Sequence, residues 1–485
     1  MADRKTENPH AIFIPFPLQG HLIPSVHLAV KLASKGFTIT FVNTESIHHS
    51  IIKSSSQSAI NGTHHHHDGD LFAEARKSGL DIRYAIVSDG LPLGFDRSLN
   101  HDQYMECLLH VFSAHVDEFV GNLVKGDMSI NCLIADSFHV WPLMISKKYN
   151  LVNISFWTEP ALVLNLYYHM DLLKKNGHYD PLDKHEDVID YIPGVDSIKP
   201  RDMMSYLQAT NTNTVSHRII HKALFEDARS ADFMICNTIH ELECHTISTL
   251  NQMQPFYAIG PIFPNKFTQK LVSTNLWYEL DCTRWLNNRP LRSVLYVSFG
   301  SYAHISKHDL AEIAHGLLQS GVSFVWALRP DIVSSNDTNA LPLGFEDKIK
   351  DQGLIVPWCD QKSVLSHPSI GGFVTYCGWN SVLESIWCGV PLICFPLLTD
   401  QFTNRKLVVD DWKIGINLCE GNLVEKEDVT KKVIGLMIGE KSSELRNQIK
   451  KVKTTLQDAL ALGGSSQRNF DQFISEVRIK TNNMK

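Results

Sequence analysis

The 485-residue chain has no apolar run long enough to span a bilayer. Residues 11–18 and 388–398 are apolar but too short, and the first stretch holds Pro15 and Pro17. The sequence opens on charge (Asp3, Arg4, Lys5, Glu7) rather than on a secretory-signal pattern, so a cytoplasmic protein is expected. Neither sign of charge dominates: Lys+Arg 45 against Asp+Glu 52 leaves −7. That balance argues against a nucleic-acid partner and against membrane insertion. The ten cysteines include no C-x-x-C pair. A zinc ribbon or thioredoxin-type pair loses its support, and buried free thiols in a reducing compartment fit better. Three nucleotide and hydrolase fingerprints are also missing: no G-x-G-x-x-G follows the first apolar run, and there is no G-x-S-x-G elbow and no Walker A loop. No Asp-x-Asp lies between two apolar strands, and no metal site is predicted.

What is present is the mix of a soluble globular chain, 44% hydrophobic and 20% charged. Short apolar runs alternate with helical periodicity. Residues 11–16 read as a buried strand, 17–20 as a turn, 21–34 as a helix stopped by Gly36, and 37–42 as a second strand. Further strands are expected at 132–135, 152–156 and 233–237. The second half repeats the idea at 293–298, 324–328, 354–356, 372–375 and 392–395. Repeated β-α-β units predict α/β folding with parallel sheets covered by helices. The expected division is 1–262, a linker at 263–279, a second domain at 280–463, and a last helix at 464–485 after Gly463-Gly464. His64, His65, His66 and His67 run through a polar stretch. A solvated loop is the expectation there, since four adjacent side chains cannot all face one metal from a strand or helix.

Ligands of open α/β sheets bind at the carboxyl ends of strands. In the second half those ends are rich in polar residues: Gly300-Ser301, Trp358 with Gln361, Gly378-Trp379-Asn380-Ser381, and Asp400-Gln401. A glycine opening a helix after a strand lets backbone N–H groups approach an anion. Asn380 and Ser381 add donors, and Glu384 lies one turn further on the same helix face. A carboxylate there suits ribose hydroxyls, and Trp358 offers a flat face to a base. The pattern points to a phosphorylated ligand with an aromatic base. A glycine-capped turn beside a core tryptophan fits the same residues.

The window from Trp358 to Gln401 reads WCDQKSVLSHPSIGGFVTYCGWNSVLESIWCGVPLICFPLLTDQ. It resembles the plant secondary-product signature of family 1 UDP-glycosyltransferases. IPFPLQGHLIP, LIADSF, YIPGV, SVLYVSFGS, FVWALRP and LPLGF extend the resemblance along nearly the whole chain. The resemblance implies a GT-B fold, in which two Rossmann-like domains with a cleft between them take acceptor and UDP-sugar respectively. It implies inverting transfer of a sugar to a hydroxyl of a small hydrophobic acceptor, phenolic or terpenoid, by a monomer with no permanently bound cofactor. Trp358 is then expected at uracil, Gln361 near uracil and ribose, and Glu384 at ribose. Ser301, Gly378, Trp379, Asn380 and Ser381 are expected at the diphosphate. Asp400 and Gln401 are expected at the sugar, where a final Gln resembles the glucose users. His21 and Asp136 match the catalytic pair, base and orienting carboxylate; an N-cap is the competing reading of Asp136.

One position departs from the family. Tyr376 stands where it usually has His as a donor to the diphosphate. Tyr can donate but cannot become cationic near neutral pH. Losing that charge assistance costs about 1–3 kcal/mol at most, which predicts weaker UDP-sugar binding or slower turnover. A rotated Tyr376 replaced by water is the alternative, and a UDP-sugar-binding protein with little turnover is the rival function. Phe16, Phe138, Phe156, Trp157 and Leu162 follow or end strands and are candidates for an apolar acceptor wall, with core packing as the competing reading of each.

Overall fold

The computed structural model describes residues 8–60, 70–179, 187–209, 211–264, 267–268, 272, 276–333, 341–419, 421 and 423–484. The histidine run His64–His67 lies outside the described residues. The chain divides into two compact units: Met1–Pro200, Tyr206–Leu276 and Asp458–Lys485 form the first, and Arg201–Ser205 with Trp277–Gln457 the second. The short segment Arg201–Ser205 therefore belongs with residues far away in sequence.

The first unit is built on strands β1 (His10–Ile14), β2 (Thr38–Thr44), β3 (Ile82–Val87), β4 (Ile130–Asp136), β5 (Val152–Trp157), β6 (Phe233–Cys236) and β7 (Phe256–Ala258). They form a parallel sheet in the order β3-β2-β1-β4-β5-β6-β7. The second unit has β8 (Val294–Ser298), β9 (Ser323–Ala327), β10 (Gly353–Val356), β11 (Ile370–Thr375), β12 (Leu392–Cys394) and β13 (Gly415–Asn417). Their parallel order is β10-β9-β8-β11-β12-β13. No strand was expected at β3, β7 or β13. β3 is an edge strand with exposed Arg83 and Ile86, so it lacks the continuous apolar run of a central parallel strand. β7 and β13 are three residues each, too short to show a period.

Both sheets reverse their winding beside their first strand. β1 lies between β2 and β4, and β8 lies between β9 and β11. Such a reversal opens a crevice at the strands' carboxyl ends. Register then decides which residues emerge together. Ile14 pairs with Ala135 and Asp136 with Phe156, so the segments leaving β1, β4 and β5 come out side by side. In the second sheet Ser298 pairs with Thr375, which brings the turns after β8 and β11 together.

Each sheet is held by its own core. β1 and β8 are buried at every residue. In the first unit Phe13, Phe41, Phe72 and Phe156 pack with Phe470, Phe473 and Val477 of the last helix, Ser465–Asn483. In the second, Leu295, Val297, Trp326, Val374, Ile393 and Leu436 form the centre. Burying each such side chain contributes about 1.5–3 kcal/mol. The last helix starts after Gly463, whose φ of +79° favours glycine. Among the described residues, no helix is long and apolar enough to cross a membrane.

Candidate active site

His21 sits in the first turn of the helix Gln19–Ser34, directly after β1. Its Nδ1 lies 2.8 Å from Asp136 Oδ2, at the end of the neighbouring strand β4. Asp136 is 1% exposed, while its Oδ1 accepts the N–H of Phe138 at 3.0 Å. An ionised carboxylate can only accept, so the hydrogen of a neutral His21 ring belongs on Nδ1 and the lone pair on Nε2. No partner for Nε2 is present among the described residues. The arrangement can take a proton from a ligand at Nε2 and stabilise the resulting imidazolium at Nδ1.

Aromatic rings surround this pair. Phe138 meets the His21 ring edge-on at 5.2 Å, and Phe16 lies 5.4 Å from it. Phe138 is half-buried and stacks on Trp157 at 5.4 Å. Of the five residues expected to line an acceptor wall, Phe16, Phe138 and Trp157 gather here, but Trp157 is fully buried behind Phe138 and follows the core-packing reading. Phe156 does not join them. Strand alternation turns it to the opposite face from Trp157, where it packs edge-on against Phe13 at 6.2 Å in the core. Leu162 lies in the first turn of the helix Ala161–Tyr168, with its N–H donating to Glu243 Oε1 at 2.8 Å.

In the second unit the turns after β8 and β11 form one cradle. Gly378 opens the helix Trp379–Cys388. The ring of Tyr376 occupies the space beside both glycines of the cradle. A Cβ on Gly300 would fall 2.4 Å from Tyr376 Cζ, and one on Gly378 would fall 2.3 Å from its hydroxyl oxygen. A Cβ at either position would have to displace the Tyr376 ring, and Gly300 also takes a φ of +72° that favours glycine. Tyr376 is therefore not turned away from these loops. Burial, with the carboxylates of Asp400 and Glu384 adding to it, pushes the phenol up to about 12, so it stays a neutral donor. Ser301 and Asn380 are partly exposed beside the same turns, whereas the Trp379 indole is buried and packs against Trp412 at 6.0 Å. What Trp379 offers the cradle is backbone.

Trp358 is half-exposed on the loop after β10, and its carbonyl accepts the N–H of Leu280 at 2.9 Å. Gln361 Nε2 donates to Glu384 Oε2 at 2.7 Å and to Ser381 Oγ at 3.0 Å. Its side chain therefore orients the helix residues. Burial raises the Glu384 carboxyl to about 7, against the opposing influence of Lys362 and Gln361. Gln401 Oε1 accepts the N–H groups of Leu397 and Leu398 at 2.9 and 3.0 Å, which leaves its amide N–H to offer outward. Asp400 is held by Thr399 Oγ1 at 2.8 Å and Asn404 Nδ2 at 2.6 Å.

Several residues of these sites were not anticipated from sequence. Thr158, just past β5, places Oγ1 2.9 Å from His21 Nδ1. Buried Arg329 donates to the carbonyls of Gly300, at 2.7 Å, and Ala303, at 2.5 Å, and so sets the turn after β8. Ser205 exchanges two hydrogen bonds with Thr399, a residue at φ +54°, and Asp202 pairs with Arg405. Arg201–Ser205 thus brace the stretch that carries Asp400 and Gln401. Applying the strand-end rule to β5 would have found Thr158; the partners of Ser205 lie too far along the chain for any local pattern. A cavity of about 700 Å³ elsewhere in the first unit, lined by residues such as His240, Asn251, Tyr257, Arg468 and Glu476, holds none of these groups. Among the described residues no three His, Cys, Asp or Glu side chains gather as metal ligands.

Known proteins resemble this chain along most of its length. Residues 257–442 match the family model described as UDP-glucoronosyl and UDP-glucosyl transferase. The chain is 60% identical to UDP-glycosyltransferase 86A1 of Arabidopsis thaliana, over 99% of this chain and 96% of that one. Among solved structures, a UDP-glucose:anthocyanidin 3-O-glucosyltransferase in complex with UDP aligns with TM-score 0.81 and 27% identity, covering 98% of this chain and all of that one. Phytolacca americana UGT2 complexed with UDP-2fluoro-glucose and pterostilbene aligns with TM-score 0.76 and 25% identity, covering 97% and 99%.

Proposed function

The chain belongs to the family 1 UDP-glycosyltransferases, GT-B enzymes that transfer a sugar from a UDP-sugar to a small acceptor, and from that premise we propose that it moves glucose, with inversion, onto a hydroxyl of a hydrophobic acceptor. The observation that carries this reading is the 2.8 Å bond between His21 Nδ1 and Asp136 Oδ2, which leaves Nε2 as a base. In this reading the first unit takes the acceptor and the second takes UDP-glucose. Free thiols throughout the chain agree with a cytoplasmic enzyme, which we read as acting as a monomer.

The chemistry is one displacement. The acceptor hydroxyl gives its proton to His21 Nε2 as its oxygen bonds to the anomeric carbon. The bond from that carbon to the β-phosphate oxygen breaks, and UDP leaves with the electron pair. Asp136 stabilises the imidazolium, which then loses its proton to water. An α-linked donor gives a β-O-glycoside. Charge gathering on the leaving diphosphate is met by the N-terminus of the helix Trp379–Cys388, by Asn380 and Ser381, and by the hydroxyls of Tyr376 and Ser301. Trp358 stacks on uracil, Glu384 accepts from the ribose, and Asp400 with the Gln401 amide orients the glucose.

A flat apolar acceptor suits the half-buried Phe138 ring, which buried Phe16 and Trp157 back from behind, and the Phytolacca americana relative was solved with pterostilbene. The test is a screen of UDP-glucose against phenolic and terpenoid aglycones, with the anomeric configuration of any product read by NMR. A β-glucoside from at least one aglycone is expected. An α-linked product would refute inversion, and transfer only from another UDP-sugar would refute glucose.

Tyr376→His tests the departure from the family pattern. Restoring a donor that can carry charge is expected to lower the KM for UDP-glucose or raise kcat by up to roughly tenfold. If steady-state kinetics show neither, the phenol serves the diphosphate as well as an imidazole does.

A further inference from the structure

His21 has two neighbours on one nitrogen. Asp136 Oδ2 lies 2.8 Å from Nδ1 and Thr158 Oγ1 lies 2.9 Å from it. The two come from adjacent strands, Asp136 from the end of β4 and Thr158 from the residue after β5. Both are buried, at 1% and 4% exposure. Nδ1 carries either a hydrogen or a lone pair. A lone pair would face the carboxylate's own lone pairs at 2.8 Å, so the hydrogen is on Nδ1. Thr158 Oγ1 can then only accept from that same hydrogen.

We propose that Thr158 is a positioning residue for His21, its hydroxyl oxygen serving as the second acceptor of a three-centre bond from Nδ1–H. This rests on the reading of His21 as the base. Three consequences follow from the geometry. The ring is held from two sides, so rotation about its side-chain torsions is resisted on both. The tautomer with a free Nε2 is favoured twice over. As the ring gains a proton, Nδ1–H becomes a charged donor, and both acceptors bind it more strongly than in the ground state. A contact that strengthens toward the transition state acts on kcat rather than on KM. The hydroxyl's own hydrogen has no partner among the described residues and is left to donate, so a direct contact with the sugar is the competing role.

Thr158→Val and Thr158→Ser separate these roles. Valine keeps the shape and loses the oxygen; serine keeps the oxygen and loses a methyl group. The expected result for Thr158→Val is a fall in kcat of roughly three- to tenfold, the size of one hydrogen bond, with both KM values within about twofold. Thr158→Ser is expected to restore kcat to near the unmodified level. The proposal is overturned if Thr158→Val leaves kcat unchanged, or if its loss shows as a raised KM for UDP-glucose. It is equally overturned if Thr158→Ser is as slow as Thr158→Val, because methyl packing would then be the cause. His21→Ala, assayed alongside, isolates the premise: an active His21→Ala enzyme refutes the base, while an inactive one with an unaffected Thr158→Val refutes only the positioning role.

Discussion

His21→Ala is expected to lower kcat by roughly 10²–10⁴-fold, the usual contribution of a placed general base. UDP affinity should stay unchanged, because every group proposed to hold UDP belongs to the other unit. The variant should also fold. His21 is on the first turn of its helix, and the buried residues of that helix, Leu22, Val26, Leu28, Ala29 and Leu32, remain to anchor it. Removing the ring does leave the Asp136 carboxylate buried without its imidazole. About 1–3 kcal/mol of stability is at risk from that, so thermal melting should accompany the kinetics. Asp136→Asn is expected to cost less than His21→Ala. An amide oxygen can still accept from Nδ1–H but cannot stabilise the imidazolium as a charge does. Retention of more than a tenth of kcat by a folded His21→Ala enzyme would remove the basis of the mechanism.

The second large effect concerns Glu384, the carboxyl that burial raises to about 7. In the unfolded chain a glutamate titrates near 4.3. Between those values the native state holds a proton that the unfolded state has lost. Glu384 therefore contributes stability that is fully present below about pH 4.3 and is lost as pH rises through 7. Ribose hydroxyls donate and so favour the ionised form. UDP-glucose binding should expel the proton at pH 6, and affinity should climb with pH and level off above 7. A drop of roughly tenfold in affinity is expected at pH 6 relative to pH 8. The diphosphate of UDP-glucose is a diester and does not ionise in this window, which keeps the signal to the protein. Glu384→Gln should bind weakly at every pH and lose the slope. Calorimetry at pH 6 in two buffers of different ionisation enthalpy reads the released proton directly. Equal heats in both, or an unchanged slope in Glu384→Gln, would contradict the role given to Glu384.

Much of this could be read from the chain because the fold writes its sites at strand ends. His21 after β1 and Asp136 at the end of β4 were read chiefly from their resemblance to the family's catalytic pair, with their strand-end positions in support, and the structure joins them by a hydrogen bond. Glu384 was legible by helical spacing from Asn380, but its bond to Gln361 was not, since that needs the loop after β10 folded back onto the helix. For Phe156 the core-packing reading holds; the sequence left the choice open because a fully buried strand shows no alternation between its two faces. Arg329 drew no separate reading, because its two carbonyl partners are 29 and 26 residues away. The brace from Ser205 to Thr399 spans 194 residues and leaves no local trace.

The most direct test of the central claim is a crystal structure with UDP bound. Uracil should stack on Trp358, the ribose should reach Glu384, and the diphosphate should lie at the N-terminus of the helix Trp379–Cys388 within reach of the Tyr376 hydroxyl. UDP bound anywhere else, or a diphosphate out of contact with Gly378–Ser381, would contradict it.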